Sequence, residues 1–322
     1  MQLERAGWDA PAYELLTERV LSGPPGLAAF DFDNTLIRND LGEAVMYYIM
    51  FQALIRADLS EFWEEIRHPA IADSELDRLR QVWRGMEAQG GDEDVDGYMR
   101  FVDGLAPLYA RVYKHSGMAE AYRWSRILFA YQPERELRSI SKYVFAYEQN
   151  QPLSETKLPS GLIVPRGIRV YQEIEALIRT MLAADWDVRI VTASPQVIIQ
   201  AVIDRWNLPE AKVHGMRLKS GPLQSGDGDS EESLLLPEIV EPMPVQAGKV
   251  EMLTAEVGSD RPLDFMIGDS IGDWELMRHA RHAILIDRGN AELSAAARDA
   301  GLPIQQPFPV PEEAHPDAGH FV

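Results

Sequence analysis

Short apolar runs alternate with amphipathic segments near the start of the chain and again after residue 165. The first run, residues 27–30, lies between a Gly/Pro-rich breaker at 22–26 and Asp31, which favours a short buried parallel strand. The alternation of apolar and amphipathic segments predicts further strands at 188–191, 213–218, 263–267 and 283–286. It also predicts helices at 11–20, 168–184, 195–206, 245–257, 271–279 and 290–300, whereas the proline-rich tail from Pro303 is predicted to be irregular. Strands separated by helices of this length predict an α/β fold with a parallel sheet covered on both faces.

Residues 41–149 have the period of helices, are rich in aromatic side chains and contain no convincing strand. Residues 152–165 are predicted to form a loop or a small hairpin. We therefore expect a core domain with a Rossmann-like parallel sheet, residues 1–39 and 166–322, and a mainly helical cap domain, residues 40–165, inserted into it. Four breakers divide the helical stretch into four or five predicted helices: His68-Pro69, Gly90-Gly91, Ser116-Gly117 and Gln132-Pro133.

Composition limits the possible classes of function. The 322 residues are 46% hydrophobic and 25% charged, values typical of a soluble globular protein. The absence of cysteine excludes disulfides, thiolate zinc sites and a cysteine nucleophile. A formal net charge of −20 disfavours nucleic acid and anionic membrane surfaces as partners. The first 26 residues lack a signal-peptide pattern, and no run of about 18 apolar residues occurs, so a cytoplasmic protein is the default expectation.

Polar and charged side chains follow three of the predicted strands, at the point where each strand ends. They are Asp31, Asp33, Asn34 and Thr35 after the first strand, Thr192 and Ala193 after the second, and Asp269 and Asp273 after the third. Lys249 lies near the start of the helix before that third strand. Each residue alone has an ordinary interpretation as a turn, cap or solvated residue. Because ligands bind beyond the carboxyl ends of strands in open α/β sheets, their joint occurrence there predicts one common site.

These residue types suit phosphoryl transfer. Asp31 is a candidate nucleophile that forms an acyl phosphate, and Asp33 is a candidate general acid and base. Mg²⁺ prefers oxygen ligands, and Asp31 and Asp269, with the carbonyl of Asp33, are the candidate ligands. Lys249, the Thr192 hydroxyl and backbone amides of the loop at Ala193 are candidates to bind the phosphate.

With these motifs the sequence resembles the haloacid dehalogenase-like superfamily of phosphohydrolases, in particular the branch of phosphoserine and phosphorylcholine phosphatases. The resemblance implies an aspartyl-phosphate mechanism with Mg²⁺ and a small phosphate ester as substrate. It also implies that Asp273 holds Lys249 or a metal-bound water. The matching residues are Asp31-Phe32-Asp33-Asn34-Thr35, Val191-Thr192, Lys249, and Gly268-Asp269 with Asp273.

Substrate selection is left open between several interpretations. Asp40 and Glu43 either bind a substrate amine or form a capping box that starts the helix at Leu41. Aromatic side chains in the cap either hold a quaternary ammonium or form an ordinary core; they are Tyr47, Tyr48, Phe62, Trp63 and Trp83. The candidate substrates are phosphorylated amines or amino acids such as phosphoserine, phosphorylcholine and phosphoethanolamine.

Rival functions are compatible with the same residues, and two local features carry predictions of their own. A phosphotransferase or mutase, or a non-catalytic binding protein, would use the same fold, and the sequence does not give the oligomeric state. The acidic stretch 92–103 either partly matches a calcium-binding loop or, as we favour, precedes and caps a helix. Ser194 is expected to cap the helix predicted from Pro195.

Overall fold

The computed structural model describes residues 3–88, 95–206, 208, 210–222 and 233–313. Its centre is a seven-stranded sheet in which all neighbouring strands are parallel except the last pair. The predicted α/β fold with a parallel sheet is therefore confirmed. In spatial order the strands are β11 (Ile304–Gln305), β10 (His282–Ile286), β9 (Phe265–Gly268), β1 (Leu27–Phe30), β6 (Asp187–Pro195), β7 (Lys212–Pro222) and β8 (Ser233–Val240).

Strand β1 lies in the middle of the sheet, with β9 on one side and β6 on the other. All four of its residues are buried, as expected for a short apolar strand covered on both faces. Along the chain, strands are added first on one side of β1, as β6 to β8, and then on its other side, as β9 to β11. Such a switch point leaves a crevice beyond the carboxyl ends of the strands. Helices that accompany the sheet are α1 (Ala10–Leu15), continued by a π-helical turn (Leu16–Val20), α8 (Gln172–Ala183), α9 (Gln196–Arg205), α10 (Ala247–Val257), α11 (Trp274–His279) and α12 (Ala291–Asp299).

The chain between β1 and β6 forms a helical block, residues 41–149. Strand β2 (Ile37–Arg38), which precedes the block, pairs antiparallel with β5 (Arg169–Val170), which follows it. The predicted hairpin after the block is present as β3 (Ser154–Lys157) and β4 (Ile163–Arg166). The described part of the block has six helices rather than the four or five predicted: α2 (Leu41–Phe51), α3 (Ser60–Glu65), α4 (Asp73–Ala88), α5 (Val95–Ser116), α6 (Met118–Phe129) and α7 (Glu134–Gln149).

Strand β8 is not among the predicted strands, and its position depends on contacts that are distant in sequence. One side of β8 pairs antiparallel with β7. The other side faces the turn between α6 and α7, where the Tyr131 amide donates to the Leu235 carbonyl at 2.7 Å and the Leu235 amide donates to the Gln132 carbonyl at 3.0 Å. The edge position explains how β8 accommodates Pro237, which cannot donate a hydrogen bond.

Two predictions from sequence need correction, and one disfavoured interpretation can be set aside. The helix predicted from residue 168 begins only at Gln172, because Arg169 and Val170 pair with β2. The tail beyond Pro303 is not wholly irregular, because β11 extends the sheet. Residues 95–103 belong to α5, which excludes a calcium-binding loop across 92–103, while residues 92–94 lie outside the described residues.

Among the described helices, none combines the length and apolar character needed to cross a membrane.

Candidate active site

Asp31 and Lys249 form a buried ion pair at the carboxyl end of β1. The Lys249 Nζ donates to Asp31 Oδ1 at 2.7 Å and to the Val191 carbonyl of β6 at 2.8 Å. It also donates to Asp273 Oδ1, so that one ammonium bridges two carboxylates. Lys249 is 2% exposed, which means that its charge depends on these partners rather than on water. The structure thus brings together residues that are more than 200 positions apart in sequence.

Asp273 has hydrogen-bond partners at both of its carboxylate oxygens. Oδ1 accepts from Lys249, while Oδ2 accepts from the Ser270 hydroxyl at 2.7 Å and from the Ser270 amide at 3.1 Å. A Cβ at Gly268 would lie 2.8 Å from the Asp273 carboxyl carbon, so glycine is needed where β9 ends against this side chain. Asp273 therefore contacts both the Lys249 ammonium and the loop 268–273.

Asp269 lies beside this pair and is held from two sides. The Thr35 hydroxyl donates to Oδ1 at 3.2 Å, and the Arg288 guanidinium donates to Oδ2 at 3.1 Å. Arg288, which follows β10, was not singled out from the sequence. The rule that located the other residues applies to it, because it also follows a strand at the carboxyl edge of the sheet.

Asp33 is anchored on the opposite side of the site. The Leu41 amide donates to Asp33 Oδ1 at 2.7 Å, and the Ser194 hydroxyl donates to Oδ2 at 2.6 Å. The expectation that Ser194 caps the following helix is therefore wrong, because no side chain caps α9 and Ser194 is used to position a carboxyl group. Thr192 accepts a hydrogen bond from the Ser194 amide at 3.1 Å. That amide has a partner and is not a free donor for an anion.

A cavity of about 240 Å³ opens above these groups. Its floor contains residues that the sequence predicted, and its roof contains tyrosines of α5 and α6 that the sequence did not single out. Polar side chains therefore surround a space large enough for a small phosphate ester. The lining comprises Asp31, Asp33, Asn34, Asn39, Asp40, Glu43, Tyr109, Tyr113, Met118, Tyr122, Pro165, Thr192, Ala193, Val245, Lys249, Asp269, Ser270, Gly272 and Arg288.

Burial raises the pKa of both neighbouring aspartates. Burial raises the pKa of Asp33 well above its usual value, and the Asp40 carboxylate adds to the rise. Burial also raises the pKa of Asp31, with Asp273 adding to the rise and Lys249 opposing it. For Lys249, burial disfavours the charge, but Asp273 and Asp31 together raise its pKa. The ammonium therefore stays charged, while Asp33 readily holds a proton.

The donor set fits a hard divalent cation. Carboxylate oxygens of Asp31, Asp269 and Asp273 lie within 4.8 Å of one another, and all three residues are buried. Their three formal negative charges face one buried ammonium, so two charges remain for a cation and for the half-exposed Arg288. Asp31 and Asp269, the ligands predicted from the sequence, both belong to this cluster and remain the candidate ligands.

The positions of the cap residues bear on the alternative roles considered for them from the sequence. Asp40 caps α2, since its Oδ1 accepts from the Glu43 amide at 2.7 Å, and Asp40 and Glu43 also line the cavity. The two roles are compatible. Phe62 and Trp63 are core residues and do not line the cavity, and neither do the other members of the aromatic set considered from sequence, Tyr47, Tyr48 and Trp83. The aromatic residues that reach the cavity are instead Tyr109, Tyr113 and Tyr122.

Comparison with known proteins gives structural but not sequence matches. No family model and no curated protein matches the chain. A solved protein of unknown function from Anaerococcus prevotii is 21% identical with a TM-score of 0.74, and the match covers 98% of this chain and 99% of that one. A protein of unknown function from Bordetella pertussis is 15% identical with a TM-score of 0.55, covering 89% and 100%. These likenesses show that the fold is shared over nearly the whole chain.

A more distant match is a probable phosphoserine phosphatase from Vibrio cholerae. It is 13% identical with a TM-score of 0.44, and the match covers 85% of this chain and 59% of that one. At this distance the likeness supports no argument about function. The case for an activity therefore depends on the geometry of the site.

Proposed function

We propose that the protein is a Mg²⁺-dependent phosphatase of the haloacid dehalogenase-like superfamily that hydrolyses small phosphomonoesters through a phosphorylated Asp31. The observation that supports this most directly is the buried cluster of Asp31, Lys249, Asp269 and Asp273 at the carboxyl ends of β1 and β9. The cluster combines a carboxylate nucleophile, a fixed cation and a divalent-ion donor set below one cavity.

In the first step, a carboxylate oxygen of Asp31 attacks phosphorus and the bond from phosphorus to the ester oxygen breaks. Asp33 donates its proton to the departing alcohol, a role that its raised pKa and its fixed position favour. The Lys249 ammonium stabilises negative charge on the phosphoryl oxygens. The products of this step are the alcohol and an aspartyl phosphate.

In the second step, Asp33 takes a proton from water, and the resulting hydroxide attacks the phosphorus of the aspartyl phosphate. The bond from phosphorus to the Asp31 oxygen breaks, which releases inorganic phosphate and restores both carboxyl groups. A divalent cation held by Asp31 and Asp269 would polarise the phosphoryl group and reduce repulsion between the carboxylates and the phosphate. Thr35 and Asp273 keep Asp269 and Lys249 in position during both steps.

The leaving-group side of the cavity favours a substrate with an amine. Asp40 and Glu43 present two carboxyl groups there, beside the tyrosines of α5 and α6. An ammonium group would neutralise one of these carboxyls and contact an aromatic face. We therefore propose a phosphorylated amine or amino acid, such as phosphoserine, phosphoethanolamine or phosphorylcholine, as the substrate class.

The test is hydrolysis of a panel of esters by the full-length protein. The panel contains phosphoserine, phosphoethanolamine, phosphorylcholine and an aryl phosphate, each with Mg²⁺ and with chelator. We expect turnover only with Mg²⁺, a preference for the amine esters, and no turnover by Asp31→Asn. Asp299→Asn, at an exposed position at the end of α12, is the matched control and should retain full activity. Turnover by Asp31→Asn at a rate near that of the wild type would exclude the covalent mechanism.

A further inference from the structure

Arg288 provides a second cation at the site, in direct contact with a candidate metal ligand. Its guanidinium lies 3.1 Å from Asp269 Oδ2. The Asp269 side chain is 2% exposed and that of Arg288 is 50% exposed, so a buried carboxylate is held by a cation from the solvent side. The other Asp269 oxygen accepts from a neutral donor, the Thr35 hydroxyl, at 3.2 Å. Arg288 is therefore the direct cationic partner of Asp269 in the described structure.

A divalent cation bound to Asp269 would compete with this contact. Mg²⁺ binds carboxylate oxygens at about 2.0–2.1 Å and keeps several waters around it. A guanidinium on the same carboxylate would lie within a few ångströms of the ion, where like charges repel strongly in a buried site. A second carboxyl pair lies near Arg288, because its positive charge lowers the pKa of both Asp40 and Glu43 against the effect of burial. All of these residues line the same cavity.

We infer that Arg288 is a positioning residue that holds Asp269 in the metal-free protein and gives up this contact when a divalent cation binds. The metal affinity of the site is accordingly set by a competition between two cations for one carboxylate. This inference rests on the metal site of the proposed function.

The experiment measures Mg²⁺ binding to metal-free full-length protein by calorimetry at pH 8 and fixed ionic strength. Arg288→Gln should bind Mg²⁺ about two- to fivefold more tightly, because losing the free energy of a half-exposed ion pair corresponds to a change in affinity of about this size. Arg288→Lys retains a cation and should stay within about twofold of the wild type. The matched control is Arg281→Gln, because Arg281 precedes β10 as Arg288 follows it, and donates to Asp264 at 2.8 Å away from the site. This control makes the same change in net charge and should leave Mg²⁺ affinity unchanged.

Thermal unfolding gives a second readout. In chelator, Arg288→Gln should have a lower Tm than the wild type, because Asp269 loses its partner. At saturating Mg²⁺ the difference in Tm should disappear, because the wild type has then also lost the contact between Arg288 and Asp269. The inference is overturned if Arg288→Gln binds Mg²⁺ equally or more weakly, or if Arg281→Gln tightens binding as much. If the wild type itself binds no Mg²⁺, the metal site of the proposed function fails as well, which distinguishes the two failures.

Discussion

Lys249 shows how one buried side chain fixes several others. Its ammonium bridges Asp31 and Asp273 and also donates to the backbone of β6, so it joins three elements at one point. With 2% exposure, water cannot replace any of these partners. Removing the lysine would leave two buried carboxylates without their counter-charge.

Lys249→Met should therefore abolish turnover and destabilise the fold by about 3–5 kcal/mol, the range for breaking a buried ion pair. Denaturant unfolding and ester hydrolysis measure the two effects. Lys212→Met, at an exposed position at the start of β7, is the control and should change neither by a measurable amount. A Lys249→Met protein of wild-type stability would mean that the buried carboxylates do not need the ammonium.

Glu43 gives a prediction about pH. Burial, with a contribution from Asp40, raises the pKa of Glu43 from 4.5 to about 8. The folded state therefore binds a proton that the unfolded state has released, and the free energy of unfolding should fall as pH rises between about 4.5 and 8. The slope from one such group is at most about 1.4 kcal/mol per pH unit. Glu43→Gln should reduce this slope, while Glu251→Gln, on an exposed part of α10, should not, as unfolding curves across this pH range would show.

At the scale of elements, Gly42 allows α2 to begin close to the end of β6. A Cβ at this position would lie 2.4 Å from the Ser194 hydroxyl oxygen, which in turn holds Asp33. The first turn of α2 also supplies the Leu41 amide to Asp33. The orientation of the proposed general acid thus depends on how closely a helix approaches a strand.

Gly42→Ala should displace Ser194 and lower turnover by at least tenfold, with a loss of stability of about 1–3 kcal/mol from overpacking. The control is Gly85→Ala in α4, where an added Cβ meets nothing within 4 Å and should raise helix stability by up to about 1 kcal/mol. Steady-state kinetics and thermal unfolding of both variants test this. Unchanged turnover in Gly42→Ala would show that Ser194 can move without disturbing Asp33.

These elements also show which features could be predicted from sequence. Strands β1, β6, β9 and β10 are apolar runs between breakers, and the residues at the ends of three of them form the floor of the site. Strand β8 was missed because its pairing comes from β7 and from a turn about 100 residues earlier in the chain. The tyrosines of the roof were missed because their helical spacing is the same whether a helix faces a core or a cavity.

At the scale of the whole molecule, the helical block is fastened to the sheet at more than one place. The turn at Tyr131 and Gln132 is hydrogen-bonded to β8, and Arg126 Nε donates to the Pro237 carbonyl at 2.6 Å. Helix α7 packs against α9 of the sheet region. The block and the sheet should therefore unfold together rather than as independent units.

Native-state hydrogen exchange can test this. The amides of Tyr131 and Leu235 should exchange through global unfolding, with the same opening free energy as Ala29 and Phe30 of β1. The control is Asn150, whose amide ends α7 and donates to the Tyr147 carbonyl at 3.0 Å; it should exchange faster through local fraying. Faster exchange at Tyr131 and Leu235 than in β1 would show instead that the helical block opens separately.

The two lateral margins of the sheet have a consequence for behaviour in crowded solution. The turn at residues 131–133 pairs with the outer side of β8 at Leu234 and Leu235. At the opposite margin, β11 is only two residues long and is bound by residues 7–9 through Gln305 and Gln306. A long free margin is a template on which another polypeptide can add a strand and start a fibril. By placing short segments of its own chain, distant in sequence, against both margins, the fold leaves less for a neighbouring molecule to extend.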